Sequence, residues 1–168
     1  MAVIEPLVRF CPPRLGQLLS TVDRYGRARR TGAVYGGGMA NPGGKTILIV
    51  DDEPAVRAVL TAYFEHAYGP RGFTVETATD GAGALAVVRR QRPALVLLDI
   101  DMPGMSGVEA LRGMRAIDPR IPVIMVTGNE DSRVAGEVIR DGAYSYLPKP
   151  VRFQYLDHIA ATVLGPAA

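Results

Sequence analysis

The chain has one cysteine, Cys11, so no disulfide can form within it. Its longest uninterrupted apolar runs, such as Ile47 to Val50 and Ala94 to Leu98, fall far short of the roughly 18 residues that suggest a membrane span. No continuous apolar stretch follows a basic start at the N-terminus, which leaves a secretory signal without its central feature. Its two histidines, His66 and His158, lack metal-ligand spacing and read as helix-surface residues. These absences predict a protein in a reducing, cytoplasmic setting with no membrane contact. What is present is ordinary for a globular domain: 168 residues, 48% hydrophobic and 21% charged. A chain of this length buries roughly 70% of the surface it exposes when unfolded, enough for one real core.

The net charge of +2 is divided unevenly. Residues 1–44 carry six arginines (Arg9, Arg14, Arg24, Arg27, Arg29, Arg30) against Glu5 and Asp23, and the remainder is mildly acidic. The basic character therefore belongs to the first quarter of the chain, and the domain itself gives no sign of direct nucleic-acid binding. That first quarter holds Pro6, Pro12, Pro13, Pro42 and a Gly36-Gly37-Gly38 run, and is expected to be a poorly ordered arm. Within it Leu15, Leu18, Leu19, Val22 and Tyr25 have helical spacing, with arginines clustered at the end. Such a segment suits a membrane surface, an acidic partner, the domain's own surface or an organelle transit sequence. The plainer readings are an extension without function, or sequence upstream of a start at Met39.

From Lys45 onward short apolar runs alternate with amphipathic stretches. The pattern predicts strands at Thr46–Val50, Phe73–Ala78, Ala94–Leu98, Pro122–Val126 and Ala143–Leu147. Between and after them it predicts helices at Pro54–Ala67, from an Asp80 cap to Gln91, and at Val108–Ile117, Asp131–Arg140 and Phe153–Leu164. Five strands alternating with five helices imply a doubly wound parallel sheet covered on both faces. The expected organisation is an arm over 1–44 and one domain over 45–168.

In such sheets ligands bind outside the carboxyl ends of the strands. Asp51, Asp52 and Glu53 follow the first predicted strand, Asp99 and Asp101 the third, Thr127 the fourth and Lys149 the fifth. Carboxylate oxygens gathered without His or Cys suit Mg²⁺, and without a cation they would repel one another. A carboxylate that attacks phosphorus becomes an aspartyl phosphate whose oxygens need donors. Asp99, at the end of the central apolar strand, is the natural nucleophile, with Lys149 as a mobile charge and Thr127 as a hydroxyl donor. Met102 and Met105 read as gap-filling apolar residues beside this site.

The strings Ile47-Leu48-Ile49-Val50-Asp51-Asp52-Glu53 and Leu97-Leu98-Asp99-Ile100-Asp101-Met102-Pro103-Gly104-Met105-Ser106-Gly107 come in order with Thr127-Gly128 and Tyr146-Leu147-Pro148-Lys149-Pro150. Together, over about residues 45–165, they resemble the receiver domain of bacterial two-component response regulators, of the flavodoxin-like fold. The resemblance implies that Asp99 receives a phosphoryl group from a phosphohistidine of a histidine kinase or histidine phosphotransfer protein. It implies Mg²⁺ bound by Asp52, Asp99 and the backbone carbonyl of Asp101, with Asp51 acting through water. It makes Thr127 and Tyr146 a switch pair that remodels the face of the fourth helix, fifth strand and fifth helix, and it implies a cis bond before Pro150. Two features specialise the pattern. The connection from Tyr68 to Gly72 is longer than is usual, and Asp101 adds a third negative side chain expected to alter phosphorylation and hydrolysis rates.

With no further domain visible after the last helix, the expectation is a stand-alone receiver: a phosphoacceptor rather than an enzyme, with output through a downstream protein target. The alternatives are a phosphorylation-independent module of the same fold and a haloacid-dehalogenase-type phosphatase. In the latter, the nucleophile strand comes first, whereas here an acidic pair precedes Asp99. Gly44-Lys45-Thr46 is no phosphate-binding loop, because the earlier glycine that its spacing requires falls at Met39.

Overall fold

A computed structural model describes residues 45–128 and 132–168. The amphipathic segment around Leu15 to Tyr25, the possible start at Met39, and Asp131 lie outside the described residues. The elements run β1 (Thr46–Val50), α1 (Pro54–Tyr68), a single 3₁₀ turn (Gly69–Arg71), β2 (Thr74–Ala78), α2 (Gly81–Arg90) and β3 (Leu95–Asp99). They continue with α3 (Gly107–Ile117), β4 (Val123–Thr127), α4 (Ser132–Arg140), β5 (Ser145–Pro148) and α5 (Phe153–Leu164).

All five strands pair in parallel in the order β2-β1-β3-β4-β5. The order reverses between β1 and β3, which opens a crevice at their carboxyl ends. β1, β3 and β4 are buried along their whole length because helices cover both faces. Alternation still sorts their side chains. Ile47, Ile49, Leu95, Leu97, Ile124 and Val126 pack with Leu60, Phe64, Leu156 and Ile159 of α1 and α5. Leu48, Val50, Val96, Leu98, Val123 and Met125 pack with Leu85, Val88, Leu111, Met114 and Val138 of α2, α3 and α4.

Local chemistry sets the element ends. Pro54 opens α1, where its missing N–H costs least. Asp80 caps α2 by accepting a hydrogen bond from the Gly83 N–H at 2.7 Å, as its sequence predicts. α3 begins one residue earlier than expected because Ser106 and Glu109 form a reciprocal capping box. Gly107, the first residue of α3, lies against β3, with its N–H donating to the Ile100 carbonyl at 3.0 Å. The Lys149–Pro150 bond is cis.

The long connection after α1 is compact. Its 3₁₀ turn ends at Gly72, whose φ of 80° suits glycine. Arg71 stacks near the rings of Tyr68 and Phe73 and donates hydrogen bonds to the Leu164, Gly165 and Pro166 carbonyls at the end of α5. These are carbonyls that a helix terminus leaves without partners, and a guanidinium there also meets the negative end of the helix dipole. This turn thus ties the end of α5 to the segment that follows α1.

Candidate functional site

β1 and β3 deliver their last side chains into the crevice. Asp51, just past β1, and Asp99, the final residue of β3, are buried, while Asp52 is exposed at the mouth. Carboxylate oxygens of Asp51, Asp52 and Asp99 all lie within 4.8 Å of one another. Asp51 is held by its own loop: its Oδ1 accepts the Glu53 N–H at 2.8 Å, and its backbone carbonyl accepts from the Arg57 guanidinium at 2.6 Å. Arg57 was not singled out in the sequence. Its signal was its place one helical turn after Glu53, with its first-turn side chain able to fold back over the loop.

Lys149, beyond β5, enters from the opposite wall. Its N–H donates to the Thr127 carbonyl at 2.7 Å, which fixes the β4 and β5 ends together. Its ammonium lies 3.0 Å from Asp51 Oδ2, 3.2 Å from Glu53 Oε1 and 3.3 Å from Asp99 Oδ1. Burial works against the ammonium, but the surrounding carboxylates outweigh it and raise the Lys149 pKa. Burial raises the Asp99 carboxyl pKa and outweighs the pull of Lys149, with Asp51 and Asp101 adding repulsion. Asp99 Oδ1 is buried without an aligned hydrogen bond; Lys149 meets it as an ion pair only. A buried carboxylate oxygen so placed, beside two further carboxylates, fits a hard divalent cation such as Mg²⁺.

The other expected residues lie as follows. Thr127 is buried at the end of β4. Tyr146 is half-buried, pairs in register with Met125 and packs on the α2-α3-α4 side of the sheet. Thr127, two residues beyond Met125, points to that same side. Asp101 is exposed and stands outside the carboxylate trio, where it adds negative charge near Asp99. Met102 is buried and Met105 packs against the core, while His66 and His158 are exposed on helices, all as expected. An open cleft of about 640 Å³ adjoins the trio, lined by Asp52, Thr79, Asp80, Ala82, Pro103, Gly104 and Met105. Of the trio, the exposed Asp52 lines this cleft.

Comparison with known proteins agrees with this geometry. Residues 47–161 match the family model of the response regulator receiver domain. Over 107 residues the chain is 36% identical to the probable transcriptional regulatory protein TcrX of Mycobacterium tuberculosis, covering 62% of this chain and 43% of that protein. Over 106 residues it is 38% identical to the DNA-binding response regulator MtrA of Mycolicibacterium smegmatis, covering 63% and 44%. The chain thus spans less than half the length of these curated relatives. Among solved structures, a CheY-like receiver domain protein from Methanospirillum hungatei superposes with a TM-score of 0.63 at 31% identity, covering 70% of this chain and 92% of that one. CheY of Borrelia burgdorferi, solved with CheX, BeF₃ and Mg²⁺, gives 0.64 at 27% identity, covering 71% and 88%. With the β2-β1-β3-β4-β5 sheet and the acidic crevice at its switch point, the match over 47–161 makes this chain a member of the response regulator receiver domain family.

Proposed function

We propose that Asp99 accepts a phosphoryl group from the phosphohistidine of a histidine kinase or histidine phosphotransfer protein, and that the modified domain signals through a protein-binding face. The observation that carries this reading is the buried Asp99 carboxylate, set among Asp51, Asp52 and Lys149, with the exposed Asp52 of this group lining an open cleft. In the transfer, an Asp99 oxygen attacks phosphorus as the P–N bond breaks, and its electron pair returns to the donor imidazole. Lys149 neutralises one phosphoryl oxygen, and the Thr127 hydroxyl donates to another. Asp52, Asp99 and the Asp101 carbonyl would hold Mg²⁺, with Asp51 acting through water; the ion supplies charge neutralisation at the phosphoryl oxygens. That one solved neighbour was crystallised with BeF₃ and Mg²⁺ supports the assignment.

Thr127 and Tyr146 share one side of the sheet, which supports their pairing as a switch. Movement of Thr127 toward the phosphoryl group opens space that Tyr146 fills, and the α4-β5-α5 face changes with it. That face would bind the downstream protein target. The DNA binding named for MtrA belongs to a protein more than twice as long as the matched region, and we assign no nucleic-acid contact to the receiver itself. Among the described residues no helix is long and apolar enough to cross a membrane. We assign the domain the role of a cytoplasmic phosphoacceptor rather than a classical enzyme. The domain boundary we propose is near residue 45, with 1–44 as an accessory arm.

The test is incubation with Mg²⁺ and a small acyl phosphate. An acid-stable, base-labile adduct that is absent in Asp99→Asn is expected. An unlabelled parent would point to a phosphorylation-independent module, and rapid turnover of varied phosphate esters to a phosphatase.

A further inference from the structure

Three carboxylates share the Lys149 ammonium, and they differ in what else they can hold. Asp51 and Asp99 belong to the trio that fits a divalent cation, whereas Glu53 does not. A cation on the trio would neutralise much of the charge by which Asp51 and Asp99 attract the ammonium. It would leave the Glu53 charge intact. Glu53 occupies the N-cap position of α1, yet its carboxylate caps nothing: no side-chain hydrogen bond reaches the helix N–H groups. Glutamate is also not among the residues favoured at that position. Instead its side chain, 60% exposed, crosses the mouth of the site to Lys149, 96 positions away in the chain.

We propose that Glu53 is a positioning residue that tethers the Lys149 ammonium before transfer, so that Lys149 exchanges Glu53 Oε1 for a phosphoryl oxygen as Asp99 is modified. The proposal rests on the reading of Asp99 as phosphoacceptor and adds a resident competitor for the lysine. Because the tether acts in the unmodified state, its removal favours the modified one. Glu53→Gln keeps the shape of the side chain and releases the ammonium. Exposed ion pairs are worth little, so the expected effect is small, about two- to fivefold.

Removing a negative charge beside an anionic reactant would also speed the reaction, with no part for Lys149. A double-mutant cycle separates the two. Four proteins are compared: the parent chain, Glu53→Gln, Lys149→Met and the double variant. The phosphorylation rate with a small acyl phosphate and Mg²⁺ is measured, together with the equilibrium affinity for beryllofluoride and Mg²⁺ by fluorine NMR, which stays readable where labelling is slow. The tether requires Glu53→Gln to raise both rate and affinity about two- to fivefold in the parent and to leave both unchanged in the Lys149→Met background. Equal gains in both backgrounds, or no gain in the parent, overturn it. A parent that takes neither label nor beryllofluoride overturns the phosphoacceptor reading itself, whereas a labelled parent with an indifferent Glu53→Gln overturns the tether alone.

Discussion

Gly107 sits so close to Asp99 that a Cβ on it would lie 2.0 Å from the Asp99 carbonyl oxygen, with the Ile100 Cα at 2.9 Å. Both obstacles are backbone atoms of the segment that carries the phosphoacceptor, so neither can rotate away. Gly107→Ala must push α3 off β3 or displace the end of β3. The expected cost is about 1–3 kcal/mol of stability, read as a lowered urea midpoint. In protein that remains folded, Asp99 labelling should slow at least as much as it does in any variant of exposed residues of α3.

Burial raises the Asp99 carboxyl pKa, so the ionised group costs the fold free energy at neutral pH. The folded state holds that proton more tightly than the unfolded chain does. Stability from this group therefore increases as pH falls through the folded pKa and decreases as pH rises. Asp99→Asn removes the buried charge and should unfold at a higher temperature than the parent at pH 7 without divalent ions. Added Mg²⁺ should stabilise the parent more than the variant and so narrow the gap, as thermal melts with and without the ion would report.

Arg71 supplies hydrogen bonds to three consecutive carbonyls at the end of α5. Arg71→Ala leaves those acceptors to water and frees the tail, whose Ala168 N–H donates to the Ala67 carbonyl. Amide exchange should accelerate over the last turn of α5 while the sheet amides of β1 and β3 keep their protection. The expected stability loss is about 1–3 kcal/mol.

At the far end of the sheet, Asp118 accepts side-chain and backbone hydrogen bonds from Arg120, which hold its carboxyl at about 2, with Arg92 adding attraction. A depressed carboxyl pKa contributes stability above the unfolded value, and that stability is lost as pH falls through the folded one. Asp118→Ala should cost about 1 kcal/mol at pH 7, a figure reduced for the exposure of Arg120. The difference from the parent should shrink between about pH 4 and pH 2, as chemical denaturation across that range would register.

The sheet was legible because β1, β3 and β4 are short apolar runs bounded by turn residues, and each lies within a residue or so of its expected place. The site was legible because a parallel sheet sends every strand's carboxyl end to one edge, so Asp51, Asp99, Thr127 and Lys149 could be gathered from sequence order alone. Less legible were features made by side chains reaching across the chain. Nothing in local pattern says that Glu53 spans to Lys149 or that Arg71 caps a helix 93 residues away. The capping box of Ser106 and Glu109 was readable and would have moved the start of α3 back to Gly107.

The central claim is that Asp99 itself carries the phosphoryl group, and the most direct measurement is reductive trapping. The chain is phosphorylated by a phosphohistidine donor with Mg²⁺, quenched with borohydride to convert an acyl phosphate to the alcohol, digested and sequenced by mass spectrometry. Homoserine at position 99, lost when Mg²⁺ is withheld, is the expected result. Homoserine at Asp51, Asp52 or Asp101 with position 99 unmodified, or none at all under conditions that discharge the donor, would contradict the account.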